Sequence, residues 1–150
     1  MGYRVGVIVG SLRKDSFNRQ LARAVQELAP PELSFHDVRI DDLPLYNQDD
    51  DANPHPNVKR LKSEILASQA LLFATPESNR SIPGVLKNAI DHAARPWGQS
   101  VWGPRPAVGY PSRHVDCRTR RGFGLAGFSL RSIMEPGERP VTVAMVWTGE

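Results

Sequence analysis

The stretch RVGVIVGSLRKDSFN, from Arg4 to Asn18, constrains this chain more than any other. It opens on Val5, Val7, Ile8 and Val9, a β-branched apolar run of the kind carried by a strand buried on both faces. The run breaks at Gly10-Ser11, and from Phe17 an apolar helical spacing begins: Phe17, Leu21, Ala24, Val25 and Leu28. Between strand and helix stand Ser11, Arg13, Lys14, Ser16 and Asn18. The free N–H groups and the positive dipole end of a helix point there. Hydroxyls, an amide and cations so grouped form an anion site, with phosphate the anion that such a turn favours. The same residues also read as a capped turn in which Ser16 is only the N-cap.

The rest of the chain repeats the pattern. Pro30-Pro31 stops the first helix, and LSFHDV (residues 33–38) alternates as a second strand. Asp41-Asp42-Leu43-Pro44-Leu45-Tyr46-Asn47 is a loop, followed by an acidic run at 49–51. Asn53-Pro54-His55-Pro56 leads into a helix with Val58, Leu61, Ile65 and Leu66 on one face. ALLFAT (residues 70–75) is a third strand, and the loop at 76–84 precedes a helix over 85–94 that turns Leu86, Ala89, Ile90 and Ala93 inward. Further strands are expected at 106–110 and 141–147. Strands alternating with helices of this length predict an α/β fold, with a parallel sheet covered on both faces and right-handed crossovers. In the strand order 2-1-3-4-5, ligands lie past the carboxyl ends of the first and third strands. The two loops richest in Ser, Asn, Gly and Pro follow those two strands.

Composition narrows the classes. At 150 residues, 40% hydrophobic and 23% charged, the chain reads as one globular domain over 1–150. No apolar run is long enough to span a membrane, and the N-terminal run is too short and glycine-broken for a signal peptide. The one cysteine, Cys117, excludes an internal disulfide and a thiolate metal cluster, which together give a cytoplasmic reading. His36, His55 and His114 have no partners at metal-ligand spacing, so no metal is expected. The net charge of +3 comes from residues 101–150, with seven arginines against four acids. Those arginines lack aromatic interleaving or helical period, so they read as a solvated segment and not a nucleic-acid surface.

Three motifs in order, GSLRKDSFNRQLA, LPLYNQD and TPESNRSIPGVLKNAIDHAARPWG, resemble the NADPH-dependent FMN reductase family, the flavodoxin-like quinone, chromate and azo reductases. The resemblance runs over residues 3–106. It implies a flavodoxin-like fold and an FMN cofactor, with NADPH or NADH as co-substrate. It also implies ping-pong hydride transfer through flavin N5 to a quinone, azo, metal oxyanion or free flavin acceptor. Ser11, Arg13, Ser16 and Asn18 would hold the FMN phosphate with the backbone N–H groups of Ser16, Phe17 and Asn18. Pro76, Glu77, Ser78 and Asn79 would pass along the flavin ring, with Ser81 at the ring or ribityl chain. No side chain is assigned a catalytic acid or base role. His92 reads as a helix-face residue, Lys87 and Asp91 as a surface pair, and Tyr46 as packed on its own domain. The family's homodimers or homotetramers are the expected assembly.

The chain departs from the family at Ser78, where a tyrosine is usual, and at His92, where an aromatic is usual. From about Arg105 the family's third flavin loop, GxSPGxxG, is missing, so residues 107–150 diverge. Two other readings stand beside the enzyme: an FMN-binding electron carrier, against which the basic charge weighs, and an inactive chain with a degraded C-terminal part.

Overall fold

The computed structural model describes residues 2–79 and 81–102 in full and the backbone of Val143–Thr148. In chain order the elements are β1 (Tyr3–Val9), α1 (Phe17–Glu27), β2 (Leu33–Asp37), α2 (Pro56–Leu66), β3 (Ala70–Pro76), α3 (Gly84–Ala94) and β4 (Val143–Thr148). The strands form one parallel sheet in the order β2-β1-β3-β4. This is the open α/β sheet that the alternation of strands and helices predicts.

β1 and β3 are central, and each is packed on both faces. Val5 and Val7 point with Leu72 and Ala74 toward Ala22 of α1. Ile8, Leu71 and Phe73 point the other way, into a larger core with Leu61 and Ile65 of α2 and Leu86, Ala89, Ile90 and Ala93 of α3. The period of two along each strand thus supplies both cores from the same residues. α2 begins as its sequence indicates, with Pro56 in the first turn and His55 Nδ1 accepting from the Asn57 N–H at 3.2 Å.

Two elements differ from expectation. In α1 the spacing Phe17, Leu21, Ala24, Val25, Leu28 was expected to face the core, yet the buried residues are Asn18 and Ala22. Phe17 is 52% and Leu28 87% exposed. The apolar stripe is wider than the face that meets the sheet, and small residues let the helix lie close. The late strand, expected beyond one at 106–110, pairs directly with β3, with Leu71 opposite Val143 and Pro76 opposite Thr148. The 106–110 strand, the divergent loop at 107–128, His114 and Cys117 lie outside the described residues, as does Arg80.

Candidate anion and cofactor site

The parallel register fixes where the loops emerge. Val9 is opposite Ala74, and the Gly10 N–H donates to the Ala74 carbonyl at 2.8 Å, so the chains leave β1 and β3 side by side at the same sheet end. The approach is close enough to exclude a side chain at Gly10. A Cβ there would lie 2.2 Å from Thr75 Oγ1 and 3.2 Å from Leu86 Cδ2. Glycine is required at this position by proximity.

From Gly10 the chain runs through a turn into α1. The Ser16 N–H donates to the Arg13 carbonyl at 3.2 Å, and the Ser16 carbonyl receives the N–H groups of Arg19 and Gln20. Ser16 therefore stands at the N-cap position, but its side chain makes no capping bond. Its Oγ is buried with no hydrogen-bond partner, and so are both amide atoms of Asn18. Ser16 is 1% and Asn18 0% exposed. Three orphaned polar atoms in the first turn of one helix are costly, at about 1–3 kcal/mol for each unsatisfied group. Groups kept in that condition are set for a ligand.

This geometry bears on the two readings of the loop. A simple N-cap would close Ser16 onto its own helix, and it does not. It also corrects one expected contact: the Ser16 N–H is spent on Arg13, so the first-turn donors are those of Phe17 and Asn18. Ser11 is buried beside this turn, and Arg13 is exposed with its guanidinium 5.6 Å above the Phe17 ring. A cation, two buried side-chain donors and the positive end of α1 thus lie together, and they fit a phosphate.

The second loop is closed by a backbone pair. Ser78 and Ser81 exchange backbone hydrogen bonds of 2.8 and 2.9 Å. Between them Asn79 adopts φ 51°, a left-handed conformation that asparagine tolerates. Asn79 is thus a turn-former here, and the Ser78 N–H is already paired within the loop. Pro76 is buried, Glu77 and Ser81 are half-buried, and Ser78 and Asn79 are exposed.

A third set of residues escaped the sequence reading. Asn88 grips the loop after β2 with both ends of its amide: Oδ1 accepts from the Tyr46 N–H and Nδ2 donates to the Pro44 carbonyl, each at 2.8 Å. His92, buried, places Nε2 2.9 Å from the same Pro44 carbonyl, so that nitrogen carries the proton. The Tyr46 ring meets His92 edge-on, and its hydroxyl donates to Asp51. Tyr46 is therefore packed on its own domain, as expected. Lys62 donates to the Arg95 carbonyl, and burial pulls its ammonium below the ordinary lysine range. An Asn and a His four apart on one helix face, following an LPLYN loop, were the available signal. The pocket beneath this loop, bordered by Pro44, Asp51, Lys62 and His92, carries no orphaned polar atom. Lys87 and Asp91 pair on the surface at 2.7 Å. Among the described residues no group of His, Cys, Asp and Glu suits a metal ion, and no helix is long and apolar enough to cross a membrane.

The profile of the family described as NADPH-dependent FMN reductase matches residues 3–133. The chain belongs to that family. A quinone reductase from Pseudomonas putida is 57% identical over 107 residues, 71% of this chain and 58% of its own length. A 2-hydroxy-1,4-benzoquinone reductase from a Burkholderia species is 55% identical over 108 residues, 72% of this chain and 59% of its own. The chain thus spans under six tenths of the length of these curated relatives. Among solved structures, the flavoenzyme NAD(P)H:(acceptor) oxidoreductase FerB from Paracoccus denitrificans superposes with a TM-score of 0.66 at 52% identity, over 70% of this chain and 58% of that one. An azoreductase from Bacillus anthracis, 16% identical with a TM-score of 0.59, extends the likeness of fold over 99% of this chain. The fold is therefore flavodoxin-like.

Proposed function

We propose that this chain is an FMN-dependent NAD(P)H oxidoreductase acting on quinones. One observation carries the reading: the buried Ser16 hydroxyl and Asn18 amide have no hydrogen-bond partner, in the turn to which the resemblance assigns the flavin phosphate. Both side chains, the N–H groups of Phe17 and Asn18, and Arg13 would hold that phosphate. Ser11 would line the same turn. The loop Pro76, Glu77, Ser78, Asn79 and Ser81 would border the ring, fixed in place by its own Ser78–Ser81 pair.

When bound, FMN supplies hydride exchange, taking two electrons from NADPH or NADH and giving them in a second half-reaction to a quinone. The protein's share is binding and orientation, and none of the site residues acts as a proton donor or acceptor in this reading. His92, the one buried histidine among the described residues, donates from Nε2 to the Pro44 carbonyl and serves to hold that loop. Ser78 in place of the family's usual tyrosine leaves the ring edge less covered, which favours broader acceptors. The quinone names of the relatives support the acceptor class.

The test is anaerobic stopped-flow mixing of FMN-loaded protein with NADPH, then with a benzoquinone. An enzyme loses its flavin absorbance near 450 nm on the first mix, on the order of seconds or faster, and regains it on the second. A flavin that stays oxidised with both NADPH and NADH would make the chain a carrier. Failure to retain FMN at all would leave the inactive chain.

A further inference from the structure

Along a strand inside a sheet, the backbone carbonyls point alternately to the two neighbouring strands. On β3 the Ala74 carbonyl faces β1 and accepts the Gly10 N–H at 2.8 Å. The next carbonyl on that edge belongs to Pro76. By then β1 has ended at Val9, and the chain beyond Gly10 has turned off toward α1. Pro76 is buried, so its carbonyl needs a donor from the protein. Thr75 supplies one: its Oγ1 donates to the Pro76 carbonyl at 3.2 Å.

Packing alone does not call for a hydroxyl here. Thr75 is fully buried, and it points with Leu71 and Phe73 toward the core beneath α3. Its neighbours there are Gly10 and Leu86: a Cβ added to Gly10 would lie 2.2 Å from Thr75 Oγ1 and 3.2 Å from Leu86 Cδ2. Valine has nearly the same shape and would fill this space with a methyl group. Among the described residues the hydroxyl makes one hydrogen bond, the one to Pro76. Thr75 also stands between the two loops of the proposed site. Gly10 opens the turn that carries Ser16 and Asn18, and Pro76 opens the loop proposed to border the flavin ring.

We propose that Thr75 is a positioning residue for the flavin site. Its hydroxyl replaces the ladder bond that β1 no longer gives, so the two strands part beyond Gly10 without stranding the Pro76 carbonyl. The ring loop then leaves β3 in one direction, fixed relative to the turn after β1. Thr75 acts through the Pro76 peptide and touches no ligand itself. Its bearing on FMN rests on the function proposed above, whereas the hydrogen bond and its hold on the loop belong to the protein without ligand.

Amide hydrogen exchange on the full-length apoprotein tests it, in the wild type and in Thr75→Val, Thr75→Ala and Thr75→Ser, with circular dichroism to check that each variant folds. The amides to follow are Ser78 and Ser81, whose mutual bonds close the ring loop. Without the hydroxyl, in Val and Ala, they should exchange about tenfold faster or more, the factor expected of a buried carbonyl left without a donor. Ser keeps the hydroxyl and should stay near wild type. If Val does not fold, the Ser and Ala variants, which differ only in the hydroxyl, still give the answer. Fluorescence titration with FMN should show affinity about tenfold weaker in Val and Ala and restored in Ser. Wild-type exchange in Val with faster exchange in Ser would make Thr75 a packing residue and overturns the proposal. Unchanged exchange in all three overturns it too, as does faster exchange in Val with wild-type FMN affinity. A wild-type chain that binds no FMN refutes the flavin reading and with it the role toward the cofactor; faster exchange in Val and Ala but not in Ser would still uphold the hold on the loop.

Discussion

Asn18→Leu sets the needs of the fold against those of the ligand. Asn18 is fully buried at the first turn of α1, and neither its amide nitrogen nor its oxygen has a partner. Leucine is close in shape and removes both orphaned groups. Each unsatisfied buried group costs about 1–3 kcal/mol, so the apoprotein should become more stable by at least about 1 kcal/mol, allowing for imperfect packing of the new methyls. In a chain of this size that is roughly 2–4 °C in Tm. The same change removes a hydrogen bond to a charged phosphate, worth about 1.5–3 kcal/mol, or roughly tenfold to a hundredfold in FMN affinity. Urea denaturation of the apoprotein reads the first effect, and fluorescence titration of apoprotein with FMN reads the second. Opposite signs are expected. A destabilised variant that binds FMN as tightly as wild type would mean that the Asn18 amide serves the fold, and the phosphate site would have to be placed elsewhere.

Three further outcomes follow from the same geometry. Arg13→Ala should weaken FMN binding by roughly tenfold to a hundredfold through loss of a charge-assisted contact, with little change in apoprotein stability, read by the same titration. Gly10→Ala should destabilise the protein by about 1–3 kcal/mol, read by thermal denaturation, because its Cβ would overlap Thr75 Oγ1 at 2.2 Å. Burial lowers the Lys62 pKa below its ordinary 10.5, so between those two values the unfolded chain binds more protons than the folded one, and stability rises with pH through that window. Lys62→Met should abolish that rise in a series of urea midpoints taken at alkaline pH.

How far the sequence could be read depended on whether a residue's environment was local. The strands at β1 and β3 were legible because both faces are buried and the runs are apolar throughout, so no choice of face was needed. α3 was legible because Leu86, Ala89, Ile90 and Ala93 lie on one stripe that the core takes whole. α1 was not. Its apolar stripe is broader than the sheet-facing side, and only the packing direction decides that Asn18 and Ala22 go inward while Phe17 and Leu28 stay out. The late strand was legible as a strand but not in its place, since pairing with β3 is a long-range choice that an apolar run does not encode.

The site shows the same division. Ser16 and Asn18 could be assigned to an anion from their position at a strand-to-helix turn, but not told from a simple cap. What favours the anion reading is that the buried Ser16 hydroxyl makes no capping bond and has no other partner, a fact invisible in sequence. The Ser16 backbone N–H went the other way: motif position offered it to the ligand, and a turn of four residues closed it onto Arg13. Asn88 and His92 were missed because their partners, Pro44 and Tyr46, lie more than forty positions earlier. Their hold on that loop ties the chain after β2 to the helix that follows the ring loop. Two loops at one end of the sheet are therefore tied to α3, and the turn after β1, packed through Gly10 against Thr75, is left as the place where buried polar groups have no partner.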